Sequence, residues 1–194
     1  MKNINFLLTL NVGKENNMSY SFPIRLYKYF NYYFNASNGK GHGVHSPFVF
    51  NFISSVLNNK ELKQEVPSSN KYRTLVNCMV AFYKPIALME LELNPLNKAN
   101  VLEEIEKVNT IGLFYLKQNK NTADLMLYFN AAIKKVNTHS IVIFENIHNS
   151  KEMEASWEQI KMHKEVKLTI DVYKLGIVFF RKEQLEKENF IIRF

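Results

Sequence analysis

Few side chains in this sequence combine a reactive type with a setting that suits chemistry. His148 stands just past the apolar run 140–144 and follows Glu145 and Asn146. Such a position, beyond the carboxyl end of a strand, is where open α/β sheets build their sites. As a general base His148 needs a pocket and an orienting partner. Its other reading is structural, a hydrogen bond to Glu145 or to nearby backbone. Glu145 and Asn146 offer oxygens to a metal, but two ligands alone make a poor site. His42 and His45 flank Gly43 in a glycine-rich turn. Their spacing does not match a helical metal pair and no cysteine stands beside them, so they read as a loop lock and no metal site is expected. Glu90 and Glu92 lie in the run 86–93, and Lys117 follows the run 110–116. Cys78, inside the apolar residues 75–80, reads as a core thiol rather than a nucleophile.

The elements that must position these groups follow from periodicity. Residues 22–34 predict an amphipathic helix, with Pro23 in its first turn and Ile24, Tyr27, Phe30 and Phe34 at helical spacing. Residues 38–43 break the chain with glycines. Ser46 as N-cap and Pro47 as first residue start a second helix that runs to about Leu57. Residues 58–70 are polar, contain Pro67 and read as a loop. Residues 71–83 form a third helix that stops before Pro85. Beyond Pro85 the pattern changes. Strands predicted at 86–93, 110–116 and 140–144 alternate with helices at 100–108, 122–136 and 151–163. Residues 167–172 and 176–180 form two strands with a short connection, and 190–194 a last short strand. Apolar strands without strong alternation, separated by helices, require a parallel sheet covered on both faces. The closing strand pair must be antiparallel. The fold class is therefore α/β. Trp157 shares a helix face with Met153 and Ile160 and reads as core.

A chain of 194 residues fits one domain with a small appendage. A hydrophobic content of 46%, with 15 Phe and 10 Tyr, is far too rich for a disordered chain. The single cysteine excludes an internal disulfide framework and fits a reducing compartment, so the cytoplasm is expected. No apolar run reaches the roughly 20 residues of a membrane span. Residues 1–17 lack a small-residue cleavage site and read as a loose, extended N-terminus. Residues 18–84 read as a helical cap and 85–194 as the sheet domain. The net charge of +7 permits nucleic acid as a partner, but no block of five basic residues occurs. The aromatic stretch 20–34 carries no RNA-binding signature and reads as core or partner-helix packing.

Four ordered segments resemble a Bacteroidetes family of class I S-adenosylmethionine-dependent methyltransferase-like proteins. Residues 41–50, GHGVHSPFVF, are similar to its "HGVHSPFV" signature. Phe82-Tyr83-Lys84-Pro85, running into Leu88-Met89-Glu90-Leu91, is similar to "YxPKxILELG", the first cofactor-binding strand. Residues 143–157, IFENIHNSKEMEASW, look like "IFDDIHWSxEMExAW". Thr169-Ile170-Asp171, the stretch 176–184 and the closing Ile192-Arg193-Phe194 also fit.

The resemblance implies a Rossmann-like parallel sheet with an antiparallel C-terminal hairpin, and S-adenosylmethionine as cofactor. The cofactor's turn requires glycine, so that backbone can approach closely. Where the family reads E-L-G-T-S-x-G, this chain has Glu92 and Leu96 at the glycine positions and Pro95 between them. Glu90 remains of that motif; its alternative reading is a strand-end residue facing solvent or helices. Only residues 94–109 separate the first strand from the next, whereas one βαβ unit takes about 30 residues. Two β-α units, with the ribose-holding acid, are therefore expected to be missing. A family pattern like "FIDGNH" is matched by Phe114-Tyr115-Leu116-Lys117-Gln118-Asn119, so Lys117 puts an ammonium where a carboxylate stood. It would repel the donor's sulfonium.

The expectation is a degenerate, non-catalytic methyltransferase-like protein, a binding or structural subunit with no cofactor. Glu90, Glu92 and Lys117 are vestigial, and His148 and Glu145 are the remaining catalytic candidates. An active methyltransferase with an atypical donor site and a basic nucleic-acid-associated protein are the alternatives. The deletion makes two further statements: residues 86–93 and 110–116 are adjacent parallel strands, and the first strand's edge is open. Either the N-terminal aromatic helices cover that edge, or a partner or second copy does.

Overall fold

The computed structural model describes residues 19–37, 39, 45–93, 98–118, 125–183 and 186–194. The extension 1–17, His42 and most of the glycine turn, Pro95 and Leu96, Asn119, and the start of the helix expected from Thr122 lie outside these residues.

The chain opens with α1 (Phe22–Asn35) and α2 (Pro47–Phe52), whose last turn, Ile53–Leu57, widens into a π-helix. Pro23 and Pro47 sit in first turns, where their missing N–H costs nothing. Ser46 stands at the N-cap position but its side chain makes no capping bond. The expected loop over 58–70 holds a short helix, α3 (Lys60–Glu65), capped by Asn59, whose side chain accepts from the Leu62 amide. α4 (Lys71–Tyr83) starts at Asn70, which accepts from the Tyr72 and Arg73 amides. It ends on Lys84 in the left-handed region, φ 45°, because Pro85 forbids another turn.

Six strands form one sheet in the order β1-β2-β3-β5-β4-β6. They are β1 (Leu88–Leu93), β2 (Ile111–Gln118), β3 (Val136–Glu145), β4 (Leu168–Asp171), β5 (Leu175–Phe179) and β6 (Glu188–Ile191). The β1/β2, β2/β3 and β4/β6 pairings are parallel, while β5 runs antiparallel to β3 and β4. β1 and β2 are adjacent from Leu88↔Leu113 to Leu93↔Gln118, with no strand between them. The crossovers are α5 (Lys98–Lys107), α6 (Leu125–Ala132) and α7 (Lys151–Met162).

Period-two alternation sends successive side chains to opposite faces. Leu113, Tyr115, Ile141 and Ile143 face α2 and α4, in a core that includes Phe52, Leu75 and Cys78. Phe114, Leu116, Val142 and Phe144 face the other way, onto Val101 and Ile105 of α5, Phe129 of α6 and Trp157 of α7. The helices of residues 47–83 thus form one layer of a three-layer sandwich and share a core with the sheet. Cys78 and Trp157 are core residues, as expected. The six-membered ring of Trp157 comes close to Gly176, where a Cβ would meet its Cζ3 at 2.7 Å. α5 and α6 share a face, as right-handed crossovers in one direction require.

Of the two covers expected for the first strand's edge, the aromatic helix α1 is not the one. α1 does not cover β1. It lies against the far edge, where Ser37 bridges to Ile192 and the Tyr32 hydroxyl donates to the Ile192 carbonyl. Among the described residues, no strand pairs with the outer edge of β1.

Candidate functional site

The carboxyl ends of β1, β2 and β3 gather most of the groups singled out from sequence, in two ionic clusters. The first faces α4. Glu90, Tyr115, Lys117 and Glu145 alternate onto this side, together with Arg73 from α4. Lys117 Nζ and Arg73 Nη1 both bind Oε1 of Glu90. Both cations also flank the Tyr115 ring, each 5.8 Å from its centroid. Burial alone would raise the Glu90 pKa, but hydrogen bonds from Arg73 and Lys117 hold it below the usual carboxylate range. Tyr115 is pushed up, first by burial and then by the Glu145 charge; its hydroxyl also hydrogen-bonds Glu145. Glu92 lies opposite Lys117 in the strand register and is exposed.

The second cluster lies past β3. Asn146 takes φ 59°, a conformation asparagine tolerates, and its amide donates to the Lys174 carbonyl at 2.6 Å. The turn delivers His148 between two carboxylates, Nε2 2.7 Å from Asp171 and Nδ1 3.1 Å from Glu154. Burial would lower the imidazole pKa, but the hydrogen bonds to Asp171 and Glu154 outweigh it and raise it to about 9. His148 is therefore an imidazolium that donates from both nitrogens. The Glu154 carboxyl is held at about 2 against its own burial, by His148, Lys28 and Tyr20. Lys28 Nζ and the Tyr20 hydroxyl reach its other oxygen at 2.7 and 2.9 Å. Tyr173 stacks on the imidazole and donates from its hydroxyl to the Arg25 carbonyl. The cluster thus ties α1 to α7 and to the end of β4.

A shallow cleft of about 200 Å³ opens here between α1 and the sheet ends, lined by Arg25, Tyr29, Asn146, His148 and Tyr173 among others. A general base needs a free lone pair directed at a substrate, and both nitrogens of His148 are engaged. Its partners are Glu154 and Asp171, whereas the sequence pointed to Glu145. His45 is exposed and apart from both clusters. Among the described residues, no group of three or more His, Cys, Asp or Glu side chains could hold a metal ion. No described helix is long and apolar enough to cross a membrane.

Sequence reasoning missed Arg73, Glu154 and Asp171. Arg73 follows Glu90 backwards by 17 residues, and Asp171 lies 23 residues past His148, separations without a local signal. Glu154, the fourth residue of α7 after the Ser150 cap, had one: first-turn acids favour a helix N-terminus. No family model matches the chain, and neither a curated protein nor a solved structure matches it.

Proposed function

We propose that this chain is a methyltransferase-like protein without methyl transfer, acting as a binding or structural subunit. The observation that carries the reading is the double salt bridge from Arg73 and Lys117 to Glu90. A sulfonium brought to this edge would approach two cations, and the nearest carboxylate between them is already neutralised. S-adenosylmethionine therefore does not fit these residues. The strand order supports the same ancestry. β1-β2-β3 matches strands 1-4-5 of the Rossmann order 3-2-1-4-5-6, and among the described residues nothing stands in the place of strands 2 and 3. Without them the adenosine half of a donor pocket has no wall.

The binding role falls to α1. Away from the cleft it exposes Tyr27, Phe30, Tyr33 and Phe34, with Phe34 77% and Tyr27 71% accessible. Contiguous apolar patches of this kind mark interaction surfaces. The occupant in this reading is a protein, a second copy or another chain, and the lone buried thiol fits work in the cytoplasm.

Thermal melting tests the loss of the donor site. A ligand at 100 times its Kd adds about 2.7 kcal/mol, a rise of roughly 5–10 °C for a chain of this size. Melting in millimolar S-adenosylmethionine is expected to leave the midpoint unchanged. A rise of several degrees would overturn the reading.

A further inference from the structure

The amino ends of the parallel strands, opposite the clusters above, hold a second cleft, of about 320 Å³. It lies beside an irregularity in the sheet. Ile111 pairs with Val136 and Leu113 with Ile141, so Gly112 alone faces the four residues 137–140 of β3. This bulge is pinned by its own hydrogen bonds: Ser140 donates to the Ile111 carbonyl, its Oγ accepts from the Asn137 amide, and Asn137 Oδ1 accepts from the His139 amide. Gly112 lets the segment before β1 come close. A Cβ there would lie 2.8 Å from the Ala87 carbonyl oxygen, which accepts from the amides of both Gly112 and Leu113. Asn137, Thr138, His139 and Ser140 of the bulge line the cleft, with aromatic rings beside them.

Phe48, Tyr83 and Phe179 form an apolar wall, with Phe48 and Phe179 edge to face at 5.0 Å. Over this wall lies Arg181, its guanidinium 4.0 Å from the Phe48 centroid. Its Nε is buried with no hydrogen-bond partner, and its ion pair, to the exposed Glu183, is long at 3.7 Å. The half-exposed Nη end of the guanidinium is the part that a ligand in the cleft would meet. Lys84 and His139 complete the lining, which contains hydroxyls and amides but no carboxylate among the described residues. Aromatic walls select a flat apolar body, and a guanidinium fork selects a carboxylate or similar oxyanion.

We infer that this cleft is a binding site for a small organic anion with a flat apolar body, its carboxylate on Arg181 and its ring among Phe48, Tyr83 and Phe179. The size is at the lower end of ligand pockets, suited to a one- or two-ring molecule.

The test is a titration of the full chain with 1-naphthoate, followed by amide resonances in NMR, beside the neutral isostere 1-naphthalenemethanol. Naphthoate is expected to bind saturably below millimolar concentration, shifting Gly112, Thr138, Ser140 and Arg181. The alcohol is expected to bind at least about tenfold more weakly, a loss of about 1.4 kcal/mol. Arg181→Leu keeps much of the apolar stem and is expected to weaken naphthoate by a similar factor. Absence of saturable shifts up to several millimolar would overturn the proposal. So would equal affinity for the alcohol, or shifts confined to α1. If Arg181→Leu does not fold, the comparison of acid and alcohol on the unaltered chain decides alone.

Discussion

The imidazole of His148 donates to the buried carboxylate of Asp171 across 2.7 Å, and so joins the turn after β3 to the end of β4. Asp171 is only 6% accessible, and its second oxygen accepts from the Tyr173 amide. Glu154 takes the other imidazole nitrogen and passes the connection on to Lys28 and Tyr20. One protonated ring thus locks α1 onto the sheet.

This lock fixes how stability depends on pH. The folded value of His148, about 9, lies above its ordinary 6.5. Its contribution is complete below pH 6.5 and is lost as pH rises toward 9, amounting to on the order of 3 kcal/mol. Glu154 runs the other way: held at about 2 against 4.5, it contributes above pH 4.5 and fades as pH falls toward 2. Denaturant midpoints measured across pH are expected to peak between 4.5 and 6.5. A curve that stays flat from 6.5 to 9 would contradict the imidazolium.

Removing the ring leaves a buried carboxylate without its cation. His148→Leu is expected to cost about 3–5 kcal/mol and to abolish the alkaline decline. Asp171→Asn with His148 retained is expected to remove much of the same decline. Chemical denaturation at pH 6 and pH 9 reads both variants.

Gly176 marks a different limit. An alanine methyl there would press on Trp157 at 2.7 Å, and Trp157 is fully packed. Gly176→Ala is expected to destabilise by about 1–3 kcal/mol through overpacking. Thermal melting checks it, and a neutral result would mean that Trp157 moves freely.

Much of this arrangement was legible in the sequence. The helix at 71–83 is bounded by Asn70 and Pro85, and both boundaries hold. The adjacency of β1 and β2 follows from the short interval between them. α3 was not legible, because its six residues are polar and carry no buried face. β3 begins four residues before the apolar run at Ser140: Val136 was expected to end a helix, and the bulge residues Asn137, Thr138 and His139 carry no apolar pattern that would extend the strand. In the ionic clusters Glu90, Lys117 and His148 were identifiable, but Arg73, Glu154 and Asp171 were not. Pairings such as Lys117 with Glu90 depend on register and helix docking rather than on spacing.

The aromatic face of α1 has an expected consequence in solution. The chain is expected to associate, and the pair Tyr27→Glu and Phe30→Glu to return it to monomer without loss of fold. Light scattering over a concentration series measures this. A wild-type chain that stays monomeric and soluble at high concentration would count against homo-oligomers, and capture of no protein by that face would remove the binding role.

The proposed loss of the donor site is tested most directly by titration calorimetry of the full chain with S-adenosylmethionine and with its demethylated product. On the proposed reading, in which Glu90 is taken up by Arg73 and Lys117, no saturable heat is expected at sub-millimolar concentrations of either. Saturable heat at micromolar S-adenosylmethionine would contradict the reading outright.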